Sequence, residues 1–158
     1  MKTDEKTSAP KLATLKLERI LVPMDFSEAS EQALEYALTL ARKFEASITL
    51  MHVVELIASS PDANFGYVPL DTGEQVAAAT KRLEKIAAER IPAAMLETTL
   101  VQSGTPYREI TAAAKELNLD LIVITTHGYT GLTHVLLGST AERIVRHAPC
   151  PVLTVRAR

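Results

Sequence analysis

The chain contains no tryptophan and little aromatic surface, which narrows the classes of ligand that it can hold. Phenylalanine, tyrosine and tryptophan together make up 4% of its 158 residues. Because single-stranded nucleic acids bind largely by stacking bases on aromatic side chains, this scarcity argues against such a platform. The charge balance agrees, since 17 Lys and Arg stand against 19 Asp and Glu, for a net charge of -2. Proteins that bind nucleic acids or membrane surfaces in general carry a basic excess, so we expect neither partner.

Cysteine is nearly absent, and long apolar runs are absent altogether. The single cysteine, Cys150, has no partner for a disulfide within the chain and excludes a cysteine-based zinc site. The longest apolar stretches, such as residues 121–124, are far shorter than the roughly 20 residues that a membrane span needs. The first 18 residues contain no apolar core of a secretory signal. We therefore expect a cytoplasmic protein with residues 1–17 as a flexible tail and residues 18–158 as a single domain.

Buried strands and amphipathic helices alternate along the body of the chain. Thr105 is a candidate N-cap with Pro106 at the first helical position, Ser27 is another, and Ser139 with Glu142 forms a third signal, a capping box. Such alternation predicts right-handed βαβ units and a parallel sheet with helices on both faces, an α/β fold. Apolar and β-branched runs predict the strands at residues 20–22, 47–54, 95–101, 120–124 and 152–155.

We expect the ligand-binding site at the carboxyl ends of the strands, where open α/β sheets bind ligands. Three stretches meet that condition, at residues 23–25, 52–54 and 125–140. In the third, Gly128 follows the fourth strand, and Gly138 opens the next helix. Glycine lets backbone N–H groups approach a phosphate, and a helix start adds free N–H groups and a positive dipole end. The stretch therefore predicts an anion site, and the alternative is an ordinary loop followed by a capped helix.

Three motifs occupy these strand ends. They are V-P-M-D-F-S-E-A-S-E at 22–31, H-V-V at 52–54, and H-G-x9-G-S-T at 127–140, which A-E-R-I-V-R-H-A-P-C-P-V-L-T-V-R follows. Together they resemble the universal stress protein family over about residues 18–156. The resemblance implies an open five-stranded parallel sheet of order 3-2-1-4-5, a Rossmann-like arrangement that binds ATP, with or without Mg²⁺, between strands one and four. It also implies a homodimer paired through the fifth strand, residues 152–155, which is a sheet edge.

The family's nucleotide motif, G-x2-G-x9-G-[ST], is matched only in its second half. Thr125 stands where the first glycine would be, and its side chain would either crowd a ligand or donate a hydrogen bond to it. By the resemblance, Asp25 lies near the ribose and Val53 lines the adenine slot, while the alternative for Asp25 is to cap the helix that follows. The resemblance places Pro23 and Met24 along the adenosine and implies a phosphate side formed by Thr126, His127, Gly128, Gly138, Ser139 and Thr140.

The sequence predicts a nucleotide-binding stress or signalling module rather than an efficient ATPase. It has no G-x4-G-K-[ST] loop and no obvious Asp pair for catalytic Mg²⁺, so we predict no catalytic residue and no metal-ligating residue. Two alternatives stay open: a nucleotide-free structural protein of the same fold, favoured by Thr125, and a slow ATPase. His52 is predicted as a packing or surface residue, Arg82 as part of a solvated helix face, and residues 55–71 as a loop that nucleotide orders.

Overall fold

Short apolar runs pair into a sheet because both of their faces can be buried under helices. The computed structural model describes residues 16–55, 72–126 and 138–156. Strand and helix alternate through all three ranges, as the sequence predicts. In chain order the elements are β1 (Arg19–Pro23), α1 (Glu28–Phe44), β2 (Ser47–Glu55), α2 (Thr72–Arg90), β3 (Leu96–Gly104), α3 (Pro106–Glu116), β4 (Leu121–Thr125), α4 (Ser139–His147) and β5 (Val152–Val155).

The sheet has five strands in the order β3-β2-β1-β4-β5, and every neighbouring pair is parallel. This confirms the fold class and the strand order that the resemblance implies. The central strand is β1, whose Leu21 lies opposite Thr49 of β2 and Ile122 of β4. After β1 the chain moves toward one sheet edge, and after β4 it moves toward the other. The carboxyl ends of β1 and β4 therefore flank the switch in strand order, where such sheets open a crevice.

Two layers of helices cover the sheet, because successive residues of each strand point to opposite faces. Ile20 and Val22 of β1 pack in the cluster that includes side chains of α1 and α2, whereas Leu21 packs with side chains of α3 and α4. All three are fully buried, and burying a side chain of this size stabilises the fold by about 1.5–3 kcal/mol. The helices hold the sheet from both faces and leave its carboxyl edge free for a site.

The start of α4 differs from the predicted capping box. Gly138 is the N-cap, Ser139 is the first helical residue, and Glu142 pairs with Arg146 at 2.8 Å instead of reaching back. The shift has a tertiary cause, since the Gly138 N–H donates to the Thr126 carbonyl at 2.8 Å and fixes the chain one residue earlier. The prediction for Ser139 as the cap is therefore wrong, and its hydroxyl lies in the first turn instead.

Two other helix starts agree better with the sequence. Ser27 caps α1, because its Oγ accepts a hydrogen bond from the Ser30 N–H at 3.2 Å. Thr105 occupies the N-cap position of α3, but its side chain makes no capping bond. Pro106 stands at the start of that helix as predicted, where its missing N–H costs nothing.

The carboxyl end of β3 lies well beyond its sequence pattern. The pattern predicts a strand to residue 101, but β3 runs to Gly104, because the end of β2 continues to pair with it up to Glu55 opposite Gly104. The tail at residues 1–15 and most of the predicted loop, residues 56–71, lie outside the described residues. No helix within the three described ranges is long and apolar enough to cross a membrane.

Candidate functional site

A cavity of about 770 Å³ opens at the carboxyl edge of the sheet. Its wall combines the ends of β1, β2 and β4 with side chains of α2 and the first turns of α3 and α4. This volume lies within the range of roughly 300–1,000 Å³ that small-molecule and cofactor sites occupy. The switch in strand order thus produces a crevice of the right size for one ligand.

The structure brings most of the predicted site residues together on this wall. Thr125 is the last residue of β4, lies opposite Val155 of β5, and is 7% exposed. His127 and Gly128 lie outside the described residues. The predicted residues on the cavity wall are Pro23, Met24, Asp25, Val53, Thr125, Thr126, Gly138, Ser139 and Thr140.

The end of the cavity beside β4 has the features of an anion site. Gly138 lies so close to the end of β4 that a Cβ built on it would be 3.1 Å from the Thr126 carbonyl oxygen. The chain can make this approach because the position has no side chain. It directs the first turn of α4, with Ser139 and Thr140, into the cavity. The N–H groups of that turn have no partner within the helix and carry the positive end of its dipole.

The turn between β1 and α1 forms the middle of the wall and is held by its own hydrogen bonds. Oδ1 of Asp25 accepts from the Ser27 N–H at 3.0 Å and also from the Ser27 hydroxyl. Ser27 in turn caps α1 through Ser30. Asp25 therefore supports the helix start, which was the structural alternative for this residue, through one carboxylate oxygen. The contact with a ribose stays a prediction for the other oxygen, Oδ2.

Three residues on the β2 side of the cavity were not predicted as site residues. Phe26 follows Asp25 and contacts both His52 of β2 and Arg82 of α2, and all three line the cavity. The interpretation of Arg82 as part of a solvated helix face is therefore incomplete. No spacing rule joins residues 26, 52 and 82, because only the folded sheet brings their three elements to one place.

The charges of the described wall are few and unevenly placed. Asp25 and Glu55 are acidic, and Arg82 lies on the β2 side, two strands away from the start of α4. In the described wall near β4, positive potential arises from the first turn of α4 rather than from a lysine or arginine. Within the described ranges, no group of three or more His, Cys, Asp or Glu side chains is arranged to hold a metal ion.

Solved structures share this fold. UspA, a universal stress protein from Lactobacillus plantarum, superposes with a TM-score of 0.68 at 28% identity, covering 90% of this chain and 100% of that one. A universal stress protein in complex with cAMP gives a TM-score of 0.62 at 23% identity, with coverages of 89% and 97%. A universal stress protein family protein from Arabidopsis thaliana with AMP bound gives 0.56 at 20% identity, with coverages of 89% and 92%. The last two similarities are at the level of the fold.

Sequence comparison leads to the same group of proteins. The model of the universal stress protein family matches residues 16–156. Universal stress protein MJ0531 of Methanocaldococcus jannaschii is 34% identical over 144 residues, covering 87% of this chain and 81% of the relative. Universal stress protein YxiE of Bacillus subtilis is 30% identical over 145 residues, covering 87% and 98%. Since the matched residues include every strand and helix of the sheet, the chain belongs to the universal stress protein family.

Proposed function

We propose that this protein is a nucleotide-binding stress-response or signalling module that takes ATP into the cavity at the ends of β1 and β4. The observation that carries the proposal is the approach of Gly138 to Thr126, which directs the first turn of α4 into a cavity of about 770 Å³. A branched side chain at this position would crowd the Thr126 carbonyl and the start of the helix, where a phosphate would meet the N–H groups. Two structural neighbours in complex with cAMP and AMP support a nucleotide as the ligand.

The orientation of the nucleotide follows from the two ends of the cavity. Phosphates belong beside β4, where the start of α4 attracts an anion, and Mg²⁺ would accompany them as their counterion. The nucleoside then lies toward β1 and β2, along Met24 and Val53, with Oδ2 of Asp25 as the acceptor for a ribose hydroxyl. A cytoplasmic location belongs to this proposal, because the cytoplasm supplies ATP and keeps a lone thiol reduced.

A binding role is favoured over efficient hydrolysis. Phosphoryl transfer needs positive charge aimed at the transferring group. The arginine of the described wall, Arg82, lies on the β2 side, and β2 and β4 are separated by two strand spacings, or about 10 Å. A slow ATPase would release phosphate steadily and faster than the Gly138→Val variant does. We expect wild type and variant to show the same background rate.

Thermal denaturation tests nucleotide binding directly. At a ligand concentration of about 100 times its dissociation constant, binding to the native state adds about 2.7 kcal/mol to stability. For a chain of this length each kcal/mol raises the melting temperature by roughly 2–4 °C, so Mg²⁺-ATP is expected to raise it by about 5–10 °C. Absence of any shift with Mg²⁺-ATP, together with purification free of nucleotide, would favour the structural, nucleotide-free function instead.

We further propose that the protein forms a homodimer through β5. This strand is at the edge of the sheet, where it pairs with β4 on one side. It also presents an apolar side chain to solvent, since Leu153 is 37% exposed, and Val145 of the preceding helix, α4, is 47% exposed. Unpaired backbone groups beside exposed apolar side chains favour pairing with a second copy about a two-fold axis.

Sedimentation equilibrium at tens of micromolar tests this assembly. Leu153→Glu should convert the dimer to monomer, because it places two like charges at the proposed interface. Leu117→Glu is the matched control, since Leu117 is 36% exposed and belongs to the end of α3 rather than to β5. A dimer that persists in the Leu153 variant, or a monomeric wild type, contradicts the proposal.

A further inference from the structure

Three side chains from three elements form a layered contact on the β2 side of the cavity, which we call the Phe26 stack: Arg82, Phe26 and His52. The Arg82 guanidinium carbon lies 4.3 Å from the centroid of the Phe26 ring. The His52 and Phe26 ring centroids are also 4.3 Å apart, with an angle of 32° between the planes. Both the cation and the imidazole are therefore in direct contact with the Phe26 ring.

The Phe26 stack holds a backbone conformation that the sequence alone does not favour. Phe26 has a φ of 64°, in the left-handed region. For a residue with a Cβ this conformation costs roughly 1–2 kcal/mol and persists where the surroundings enforce it. Arg82 supplies part of that enforcement, because its Nη2 also donates to the Phe26 carbonyl at 3.5 Å. The guanidinium therefore contacts both the ring and the backbone of the strained residue.

His52 also fixes Met24, the residue on the other side of Asp25. Nδ1 of His52 donates to the Met24 carbonyl at 2.7 Å, which assigns the proton to that ring nitrogen. The Met24 N–H donates to the Met51 carbonyl, also at 2.7 Å. Asp25 is thus held between two residues that are themselves anchored to β2 and α2. Its carboxylate cannot change direction freely, because Oδ1 is already bonded to Ser27.

We infer that Arg82 is a positioning residue for the nucleoside: by holding Phe26 against His52, it fixes the turn that presents Asp25 to the ligand. This inference rests on the proposed nucleotide site and extends it to a residue on α2. Arg82 acts through the turn and not on the phosphates, since it lies on the β2 side while Gly138 is bonded to the end of β4. Its contribution should therefore be the same for ligands that share a nucleoside and differ in phosphate number.

Isothermal titration of wild type and variants with Mg²⁺-ATP, AMP and adenosine tests this assignment. Arg82→Leu is expected to raise the dissociation constant about two- to fivefold for all three ligands, the range of a cation–π contact at an exposed site. Arg82→Lys should lose nearly as much, because an ammonium keeps the charge but lacks the planar group that stacks. The matched control is Lys81→Leu, an exposed basic residue of α2 that does not line the cavity, and its affinities should stay at the wild-type values.

A double variant shows whether Arg82 acts through Phe26. In a Phe26→Leu background, Arg82→Leu should cause little further loss of affinity, since the ring is gone and only the 3.5 Å bond to the carbonyl of residue 26 remains to be lost. Independent losses that multiply in the double variant would overturn the inference. A loss that grows from adenosine to ATP would also overturn it, because that result means that the charge acts on the phosphates.

Failure of the inference can be told apart from failure of the proposed function. If wild type binds nucleotide and Arg82→Leu binds it equally well, the positioning role is wrong and the nucleotide site stands. If wild type binds none of the three ligands, the proposed function fails and the positioning role with it. Ligand-free melting curves of each variant establish that a lost affinity reflects the site, because Arg82 is an exposed residue whose replacement should leave the fold intact.

Discussion

The amino ends and the carboxyl ends of the strands have different roles, and we call these two ends of the sheet its amino edge and its carboxyl edge. At the amino edge, where the helices return to the strands, the carboxylate of Asp120 accepts the N–H groups of Glu18 and Arg19 at 2.8 and 2.9 Å. Arg19 also donates through its side chain to the Leu117 carbonyl at 2.9 Å. The connections there are short, and hydrogen bonds join the start of β1 to the start of β4. At the carboxyl edge the described residues instead form the wall of the cavity.

Left-handed residues show the same contrast. Glu45 and Asn118, with φ of 57° and 50°, follow α1 and α3 at the amino edge, where such a residue ends a helix. Asparagine tolerates this conformation better than most residues with a Cβ do. Phe26, with φ of 64°, lies at the carboxyl edge and follows a strand. At the amino edge, the left-handed residues Glu45 and Asn118 let the chain turn back after a helix. At the carboxyl edge, the left-handed Phe26 forms part of the cavity wall. Changes at the first should therefore alter stability, and changes at the second should alter binding.

The largest expected effect is at the carboxyl edge. Gly138→Val should weaken Mg²⁺-ATP binding at least about 100-fold, or ~2.7 kcal/mol, because its branched side chain enters the phosphate approach. Even a Cβ would be 3.1 Å from the Thr126 carbonyl oxygen, so the ligand-free protein should also lose some stability. Calorimetric titration measures the affinity, and a melting curve verifies the fold. Gly138→Ala separates the two causes, since it crowds Thr126 without filling the cavity.

An effect nearly as large is expected at the amino edge, on stability alone. Asp120→Ala removes a charged acceptor from two backbone N–H groups and should lower the free energy of unfolding by about 2 kcal/mol. The melting temperature should fall by roughly 4–8 °C. The nucleotide dissociation constant, corrected for the folded fraction, should not change. Glu116→Ala, at an exposed position near the end of α3, is the control and should stay close to wild type. A loss of affinity in the Asp120 variant would contradict the division between the two edges.

The fold could be predicted from the sequence because the signals for its strands and helix starts are local. Each strand is a short apolar run, and Ser27 and Pro106 mark helix starts by their own chemistry. The prediction failed at Ser139 because the cap there is set by a bond between Gly138 and Thr126, across a connection whose path the pattern does not show. The end of β3 was missed for the same reason, since pairing with β2 extends it.

The candidate site likewise contains some residues that sequence motifs predict and others that only the folded structure brings together. Residues in the family's motifs, such as Asp25 and Gly138, were predicted by number and do line the cavity. Arg82 lies in none of the three motifs, and Phe26 lies in the first but was assigned no role there. Their contact depends on how α2 packs beside the turn after β1. The sequence of α2 alone does not show whether Arg82 faces solvent or the cavity, because many residues separate this helix from the turn that it contacts.

A smaller effect is expected for Thr125→Gly, which restores the family's first motif glycine. Thr125 is 7% exposed and pairs with β5, so little of its side chain can contact a ligand. The nucleotide dissociation constant should change by no more than about twofold, or ~0.4 kcal/mol. Ligand-free stability should fall by about 1 kcal/mol, because glycine lacks the β-branched side chain that favours a strand. Calorimetric titration decides among three outcomes: tenfold tighter binding would mean that the threonine crowds the ligand, and tenfold weaker binding would mean that its hydroxyl donates to it.

The smallest expected effect uses the single thiol as a reporter of the amino edge. Cys150 lies just before β5, and burial raises the pKa of its thiol, with the negative charge of Asp120 raising that pKa further. Because the thiolate is the reactive form, iodoacetamide should alkylate Cys150 more slowly than it alkylates glutathione at pH 8. Asp120→Asn removes the smaller of the two causes, so the pKa falls, the thiolate fraction at pH 8 rises, and alkylation should accelerate by about twofold. Saturating Mg²⁺-ATP should leave the wild-type rate unchanged, since the ligand binds at the opposite edge. A rate that responds to ATP but not to Asp120→Asn would mean that the two edges are coupled through the sheet rather than independent.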